Sequence, residues 1–353
     1  MLKGWVEHPG GRHHGAVVSR WPDASPGDLL DFSQNINPLG APEGVLRAAQ
    51  CALYEESGRY PDPDYPQLRG ALAAYLGVPP EKVVPTNGGA EALFLAALSA
   101  RTEGEALVLE PTFSEYAAAA RVAGLEPVHR LARRPGDGYR LDPATLEDLD
   151  GVALVFLCNP NNPTGDALTR EEVLEVADRV RERGASLVVD EAFADFVPGV
   201  SVAAEVGPDL CVARSFTKFF AIPGLRLGCL VCEDPAHVRS LQPSWSVNAV
   251  AAAAGIAAVQ DRDFVETSVS EVARLRAELF GALGALRGLT PFPGTANFLL
   301  VHGPLGLSEK LARRGVLVRG CEPFSGLGPG YFRVAVRGAQ ENERLLRAIR
   351  EEL

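Results

Sequence analysis

From about residue 80 to residue 232, short runs of apolar and β-branched residues alternate with longer stretches whose apolar positions recur at helical spacing. Residues 82–86, 106–109, 152–158, 186–190, 210–214 and 226–231 read as buried strands, and 90–100, 114–122 and 170–183 as helices between them. That alternation predicts a mostly parallel sheet covered by helices on both faces. Turn-forming clusters at 61–66 and 159–165 punctuate it. After residue 246 the pattern changes to a long helical region through about 284, strands near 297–301, 316–319 and 331–336, and a final helix over 340–352. This second pattern predicts a smaller α/β unit closing against the sheet. The expected organisation is an N-terminal segment 1–45 lying across the cleft, a large domain 46–245 and a small domain 246–353. No internal repeat or low-complexity tract interrupts it.

The 353 residues suit two globular units at about 150 residues each. With 45 acidic against 34 basic residues, the net charge of −11 repels a phosphate backbone, so nucleic acid is not the expected partner. The longest apolar stretch, residues 249–259, falls short of the ~20 needed to span a bilayer. No membrane association is expected. The first fifteen residues carry Lys3, Glu7, His8, Arg12, His13 and His14 in place of an apolar signal core, which predicts a cytoplasmic protein. The six cysteines are too sparse for a disulfide framework. Cys229 and Cys232 form one CxxC without a second ligand pair, which favours core thiols over zinc, and no metal site is expected. Only four lysines stand against thirty arginines, so few amines can serve as nucleophiles.

Four segments carry candidate chemistry. Thr86-Asn87-Gly88-Gly89-Ala90-Glu91 follows a strand and opens an apolar helix, a place where free amides favour an anion, although a glycine turn without ligand reads the same way. The glycines at 326, 328 and 330 precede a strand and make a poor dinucleotide fingerprint. Residues 158–165, Cys-Asn-Pro-Asn-Asn-Pro-Thr-Gly, offer side-chain amides at the C-terminal end of a strand, suited to a neutral or phenolic oxygen or simply to a polar turn. Asp190 ends another buried strand and either caps the next segment or faces a buried cation. Lys218 supplies a cation, flanked by Phe219 and Phe220, with Ser215 three residues before it and Arg226 eight after. A lysine is most often a solvated charge; in desolvated, cationic surroundings its amine becomes nucleophilic toward carbonyls.

In this order along one α/β chain, the four segments resemble the fold-type I pyridoxal phosphate enzymes of the class I and II aminotransferase superfamily over essentially the whole sequence. The resemblance implies a large domain with a mostly parallel, seven-stranded sheet between helices, a smaller C-terminal α/β domain, and pyridoxal 5'-phosphate as cofactor. It implies that Lys218 carries the cofactor, that Asp190 keeps the pyridine nitrogen protonated, that Asn162 bonds the ring hydroxyl and that Tyr116 stacks on the ring. Gly89, Ala90, Ser215 and Arg226 would hold the cofactor phosphate. Tyr60 matches a tyrosine given to the neighbouring subunit's site, which implies a homodimer.

Within the superfamily, the wording of residues 31–40, 59–62, 214–228, 245–249 and 333–337 is similar to the L-threonine-O-3-phosphate decarboxylase branch of cobalamin synthesis, and Phe193 stands where histidinol-phosphate aminotransferases typically have tyrosine. Decarboxylation of a small phosphorylated amino acid, L-threonine O-3-phosphate, is therefore the expected reaction, with histidinol-phosphate transamination as the alternative. The candidate substrate contacts are His14, Asn35, Asn162, Arg319, Arg333 and Arg337. Arg337 lies four residues after Arg333, a spacing that puts both guanidinium groups on one side of a strand and lets them converge on a dianion. Two further classes are weighed: a catalytically idle cofactor-binding module, opposed by intact Lys218 and Asp190, and an NAD-dependent oxidoreductase, opposed by the lack of G-x-G-x-x-G between strand and helix.

Overall fold

The computed structural model describes residues 29–100, 103–134, 136 and 138–353. The strand β1 (Leu30–Asp31) leads into helices α1 (Glu43–Glu55) and α2 (Pro66–Leu76). There follow β2 (Val83–Thr86), α3 (Gly88–Ser99), β3 (Glu105–Glu110), α4 (Glu115–Val122), β4 (Glu126–Leu131), β5 (Val152–Cys158), α5 (Arg170–Glu182), β6 (Ser186–Asp190), β7 (Leu210–Ser215) and β8 (Gly228–Val231). The C-terminal part holds α6 (Pro235–Leu241), α7 (Ala249–Gln260), α8 (Arg262–Gly284), β9 (Thr290–Pro291), β10 (Phe298–His302), α9 (Leu307–Arg313), β11 (Val316–Leu317), β12 (Arg319–Gly320), β13 (Tyr331–Ala335) and α10 (Ala339–Arg350).

Seven strands form the large sheet in the order β2-β8-β7-β6-β5-β3-β4. The strands from β7 to β4 run parallel, while β8 is antiparallel to both β7 and β2. The inner strands are apolar throughout because both faces are covered: every residue of β5 (VALVFLC) is buried. Leu157, Val189 and Val212 contribute to the core on one face of the sheet, and Phe156, Val188 and Ala213 to the core on the other. Helix starts are encoded locally. Thr169 and Glu172 form a reciprocal capping box on α5, and the side chains of Asp234, Asn248 and Asp261 accept from backbone amides in the first turns of α6, α7 and α8.

The C-terminal sheet runs β12-β13-β10-β9, and β1 pairs in parallel with β11 beside it. Leu30 and Phe32 share a core with Leu275, Leu299, Val334 and Leu345, so the first described residues pack with the C-terminal sheet. Several expectations change. The run read as one strand over 316–319 divides, because β11 joins β1 whereas β12 joins β13. Arg226 lies outside the strand expected over 226–231, with φ of +62°, and β8 begins only at Gly228. Strand β4 went unpredicted because an edge strand buries little: only Pro127 among its six residues is buried, so no apolar run announces it. Residues 249–260, expected with the small domain, bury Ala251, Ala254, Ala258 and Val259 in the large core; α8 passes from that core at Val272 to the C-terminal one at Leu275. Among the described residues, no helix is long and apolar enough to cross a membrane, and no cluster of three or more His, Cys, Asp or Glu side chains could hold a metal.

Candidate active site

The C-terminal ends of β5, β6 and β7 meet the loop after β1 and the C-terminal sheet around a cavity of about 310 Å³. Lys218 enters it with Nζ 3.0 Å from Ser215 Oγ and 5.7 Å from the centre of the Phe193 ring. Burial lowers the pKa of the amine and Asp190 opposes that shift, while the charges of Arg226 and Arg333 add to the lowering. A larger neutral fraction follows, which is the form that attacks a carbonyl.

Asp190 is 6% exposed at the tip of β6. Its Oδ2 accepts from the Tyr116 hydroxyl at 2.7 Å and its Oδ1 from the Ala192 amide at 2.9 Å. Burial pushes its pKa up, and the Lys218 charge and the Tyr116 hydrogen bond pull it down. The carboxylate thus suits a cation brought to it. A second buried cation near Asp190, Arg214, is taken by the neighbouring carboxylates: Nη1 donates to Glu191 at 2.6 Å and Nη2 to Asp195.

Tyr116 has a different place from the one expected. It is fully buried, stacks on Phe156 at 5.1 Å with an interplanar angle of 8°, and is occupied with Asp190, so it cannot cover a ring in the cavity. Burial raises its pKa well above the ordinary phenol value, which keeps its proton available to Asp190. Phe113, three residues earlier, lines the cavity instead, together with Phe193 and Phe324. Phe113 and Tyr116 stand in the same Pro-Thr-Phe-Ser-Glu-Tyr segment, and only the turn into α4 decides which of them faces inward.

The proposed phosphate residues come together. Gly88 has φ of +79°, and a Cβ there would lie 2.5 Å from Arg226 Nη2; a Cβ on Gly89 would lie 2.9 Å from the Ser215 Cβ. A Cβ on Gly228 would meet the Gly88 carbon at 2.6 Å and the Gly89 nitrogen at 2.7 Å. Glycine is therefore required where β8 passes under the start of α3, and the close approach sets the first amides of that helix, at Gly89 and Ala90, beside Ser215 and Arg226. Those amides have no acceptor within the helix, which makes an anion site of them. Arg226 itself holds the left-handed backbone, a strained conformation for a residue with a Cβ.

At the other end of the cavity, Asp31 accepts from the Ser33 amide and hydroxyl and from Gln34 Nε2, which turns residues 33–36 inward. Asn35 is 6% exposed and neither atom of its amide has a partner. Such a buried amide is costly unless a ligand completes it. Arg319 and Arg333 sit directly opposite each other on β12 and β13, and both line the cavity. Arg333 donates to Asn162 Oδ1 at 2.5 Å and to the Ser33 carbonyl at 2.8 Å, leaving Nε unpartnered. Burial lowers its pKa to about 10, and the Arg319 charge acts in the same direction. With Oδ1 engaged, Asn162 keeps Nδ2 to donate to a phenolic oxygen.

Arg337 does not join them. The strand ends at Ala335, so the same-side argument fails two residues later; Arg337 instead pairs with Glu341 at 2.7 Å on the first turn of α10. Tyr60 is 78% exposed, packs on Trp245 with ring centres 4.6 Å apart, and does not line the cavity. His14 and Lys3 lie outside the described residues. Phe113 and Ser33 line the cavity without having been expected there, and no local signal in the sequence distinguishes either from its neighbours.

A family model described as aminotransferase class I and II matches residues 27–349. The chain belongs to this family. Threonine-phosphate decarboxylase of Salmonella typhimurium is 42% identical over 339 residues, 93% of this chain and 92% of that protein. Histidinol-phosphate aminotransferase of Methanopyrus kandleri is 32% identical over 95% of this chain and 91% of its own length. The crystal structure of histidinol-phosphate aminotransferase from Clostridium acetobutylicum matches with a TM-score of 0.84 at 28% identity, covering 92% of this chain and 99% of that one.

Pyridoxal 5'-phosphate, the cofactor implied by the family resemblance, fits this donor set: an amine of lowered pKa, a buried carboxylate, an aromatic face, an amide donor, and an anion cradle closed by three glycines. Reduction of the cofactor-loaded protein with borohydride and peptide mapping should place the pyridoxyl group on Lys218. The label at Lys82 or Lys310 would contradict the assignment.

Proposed function

We propose that the chain is a pyridoxal phosphate-dependent decarboxylase of L-threonine O-3-phosphate, acting in cobalamin synthesis. The observation that carries this reading is the facing pair Arg319 and Arg333 on adjacent strands, within one cavity with Lys218. A substrate bearing both a carboxylate and a phosphate engages two fixed cations at once, whereas histidinol phosphate bears one such anion and the aminotransferase would use both cations only for its dicarboxylate co-substrate. The 42% identity to the Salmonella enzyme supports the same choice. Release of carbon dioxide from threonine phosphate is the experiment that tests it.

Bound cofactor supplies an electron sink for the pair released at the substrate α-carbon. The residues of the chain divide the remaining work. Lys218 would hold the cofactor, Asp190 would keep a proton on the ring nitrogen, Phe113 would cover one ring face, Asn162 Nδ2 would donate to the ring oxygen, and Gly89, Ala90, Ser215 and Arg226 would hold the phosphate. Arg333, clamped by Asn162 and the Ser33 carbonyl, and Arg319 opposite it bind the two substrate anions and so orient the bonds at the α-carbon. The unpartnered Asn35 amide adds a donor and an acceptor to that end. Once carbon dioxide has left, Lys218 Nζ would return a proton to the α-carbon, giving aminopropanol phosphate. Phe193 brings no hydroxyl to the site, unlike the tyrosine of the aminotransferase resemblance.

The protein acts as a homodimer in this reading, with Tyr60, exposed and remote from its own cavity, completing the neighbouring site. Mixing Lys218→Ala with Tyr60→Phe chains, after unfolding and refolding together, should restore activity above that of either parent. Each hybrid then holds one site with both groups intact. No gain on mixing would place Tyr60 outside the active site.

A further inference from the structure

The CxxC of the sequence is taken apart by β8. Cys229 packs into the core on one face of the sheet and Cys232 into the core on the other, as an odd spacing in a strand requires. The neighbour of Cys232 is found across the ladder. Val212 and Val231 are the last pair in the antiparallel register of β7 and β8, and that register carried one residue outward sets Cys211 opposite Cys232, just past the end of β8. The Cys232 amide donates to the Lys82 carbonyl at 3.1 Å, on the β2 side, and so does not bond to β7. The Phe216 amide donates to the Leu227 carbonyl, and alternation from that bonded pair also makes 211/232 a non-hydrogen-bonded pair. Opposed Cα atoms in such pairs lie about 4.5 Å apart, within the range of about 4.4–6.8 Å that a disulfide accepts.

Both residues pack with the same core and line one cavity of about 310 Å³ at the end of the sheet away from Lys218, together with Ser99, Asp209 and His237. Both are free thiols; Cys232 is buried and Cys211 half-buried, so a small reagent meets Cys211 first.

We propose that Cys211 and Cys232 are a dithiol site that closes to a cross-strand disulfide when it meets a small-molecule disulfide. The Cys211 thiolate attacks the reagent and displaces one thiolate. Cys232, giving its proton to solvent, then attacks the Cys211 sulfur and displaces the second. Two protein thiols are oxidised by two electrons and the reagent is reduced to two thiols. Burial pushes both thiols upward, Cys232 to about 12, so the reaction starts slowly and depends on the two sulfurs being held together. The closed loop contains Ser215, Lys218, Arg226 and Gly228, so the bridge ties covalently the segment on which the amine stands.

The test is incubation of the cofactor-loaded protein with 2-hydroxyethyl disulfide at pH 8.5, acid quenching, alkylation and peptide mapping without reduction. A linked peptide pair joining Cys211 to Cys232 is expected, with a thermal unfolding midpoint raised by several degrees and returned to its starting value by dithiothreitol. Cys232→Ala should keep the mercaptoethanol adduct on Cys211 and show no rise; Cys211→Ala should give no bridge. A stable adduct on Cys211 in the unsubstituted protein would overturn the proposal. So would two thiols still free after exhaustive exposure, or a bridge to another cysteine.

Discussion

Asp190→Ala lowers turnover by a hundredfold to a few thousandfold while leaving the fold intact. The carboxylate is buried at the tip of β6, held by the Tyr116 hydroxyl and the Ala192 amide, and lies near enough to Lys218 for the two charges to act on each other. Its role in the account is to keep a protonated ring nitrogen paired away from water. Removing one partner of a buried ion pair costs about 3–5 kcal/mol, and each ~1.4 kcal/mol is a factor of ten in rate. Asp190→Asn separates charge from shape: it fills the same space and can still accept from Tyr116, so it should remain nearly as inactive as the alanine variant. Steady-state kinetics with far-ultraviolet circular dichroism on both variants checks this. Near-normal turnover in Asp190→Asn would reduce the aspartate to a structural cap.

Arg319→Gln should lower kcat/KM for L-threonine O-3-phosphate by roughly thirtyfold to a thousandfold or more, the range for truncating one partner of a desolvated charge pair, while changing the rate with unphosphorylated threonine far less. Arg319 is nearly buried and sits opposite Arg333 across the ladder, so an anion bound between the two strands meets two cations. Arg337→Gln is the contrast. Its partner is Glu341 one helical turn away on a half-exposed surface, a pair worth about 0.3–0.5 kcal/mol, so substrate selectivity should stay within about twofold. A selective loss at Arg337 with none at Arg319 would restore the four-residue spacing argument and remove the facing pair.

The contrast also shows what a sequence conveys here. Strands buried on both faces, such as Val152–Cys158, announce themselves as unbroken apolar runs, and the residues at their C-terminal ends become candidates because ligands bind there in parallel sheets. Asp190 and Asn162 were legible for that reason, and Lys218 from the aromatic, hydroxyl and cationic residues around it in sequence. The choice between Phe113 and Tyr116 was not, since it depends on how one turn enters α4. Nor was the partner of Arg333. Whether Arg319 or Arg337 stands beside it is set by where β13 ends and by the register of β12, both tertiary facts. Helices α1 and α2 lie in a stretch for which no element was predicted, and the helical region after residue 246 divides between two cores because α7 packs on α1 and α2. The anion cradle shows as glycines in sequence, but only the approach of Gly228 to Gly88 explains why each is needed.

The central claim is the reaction, and it is tested most directly by incubating the cofactor-loaded protein separately with L-threonine O-3-phosphate and with histidinol phosphate plus 2-oxoglutarate, measuring carbon dioxide and glutamate in both. Stoichiometric carbon dioxide and aminopropanol phosphate from the first, with little or no glutamate from the second, is the predicted result. Efficient glutamate formation from histidinol phosphate with no carbon dioxide from threonine phosphate would contradict it and make the protein an aminotransferase.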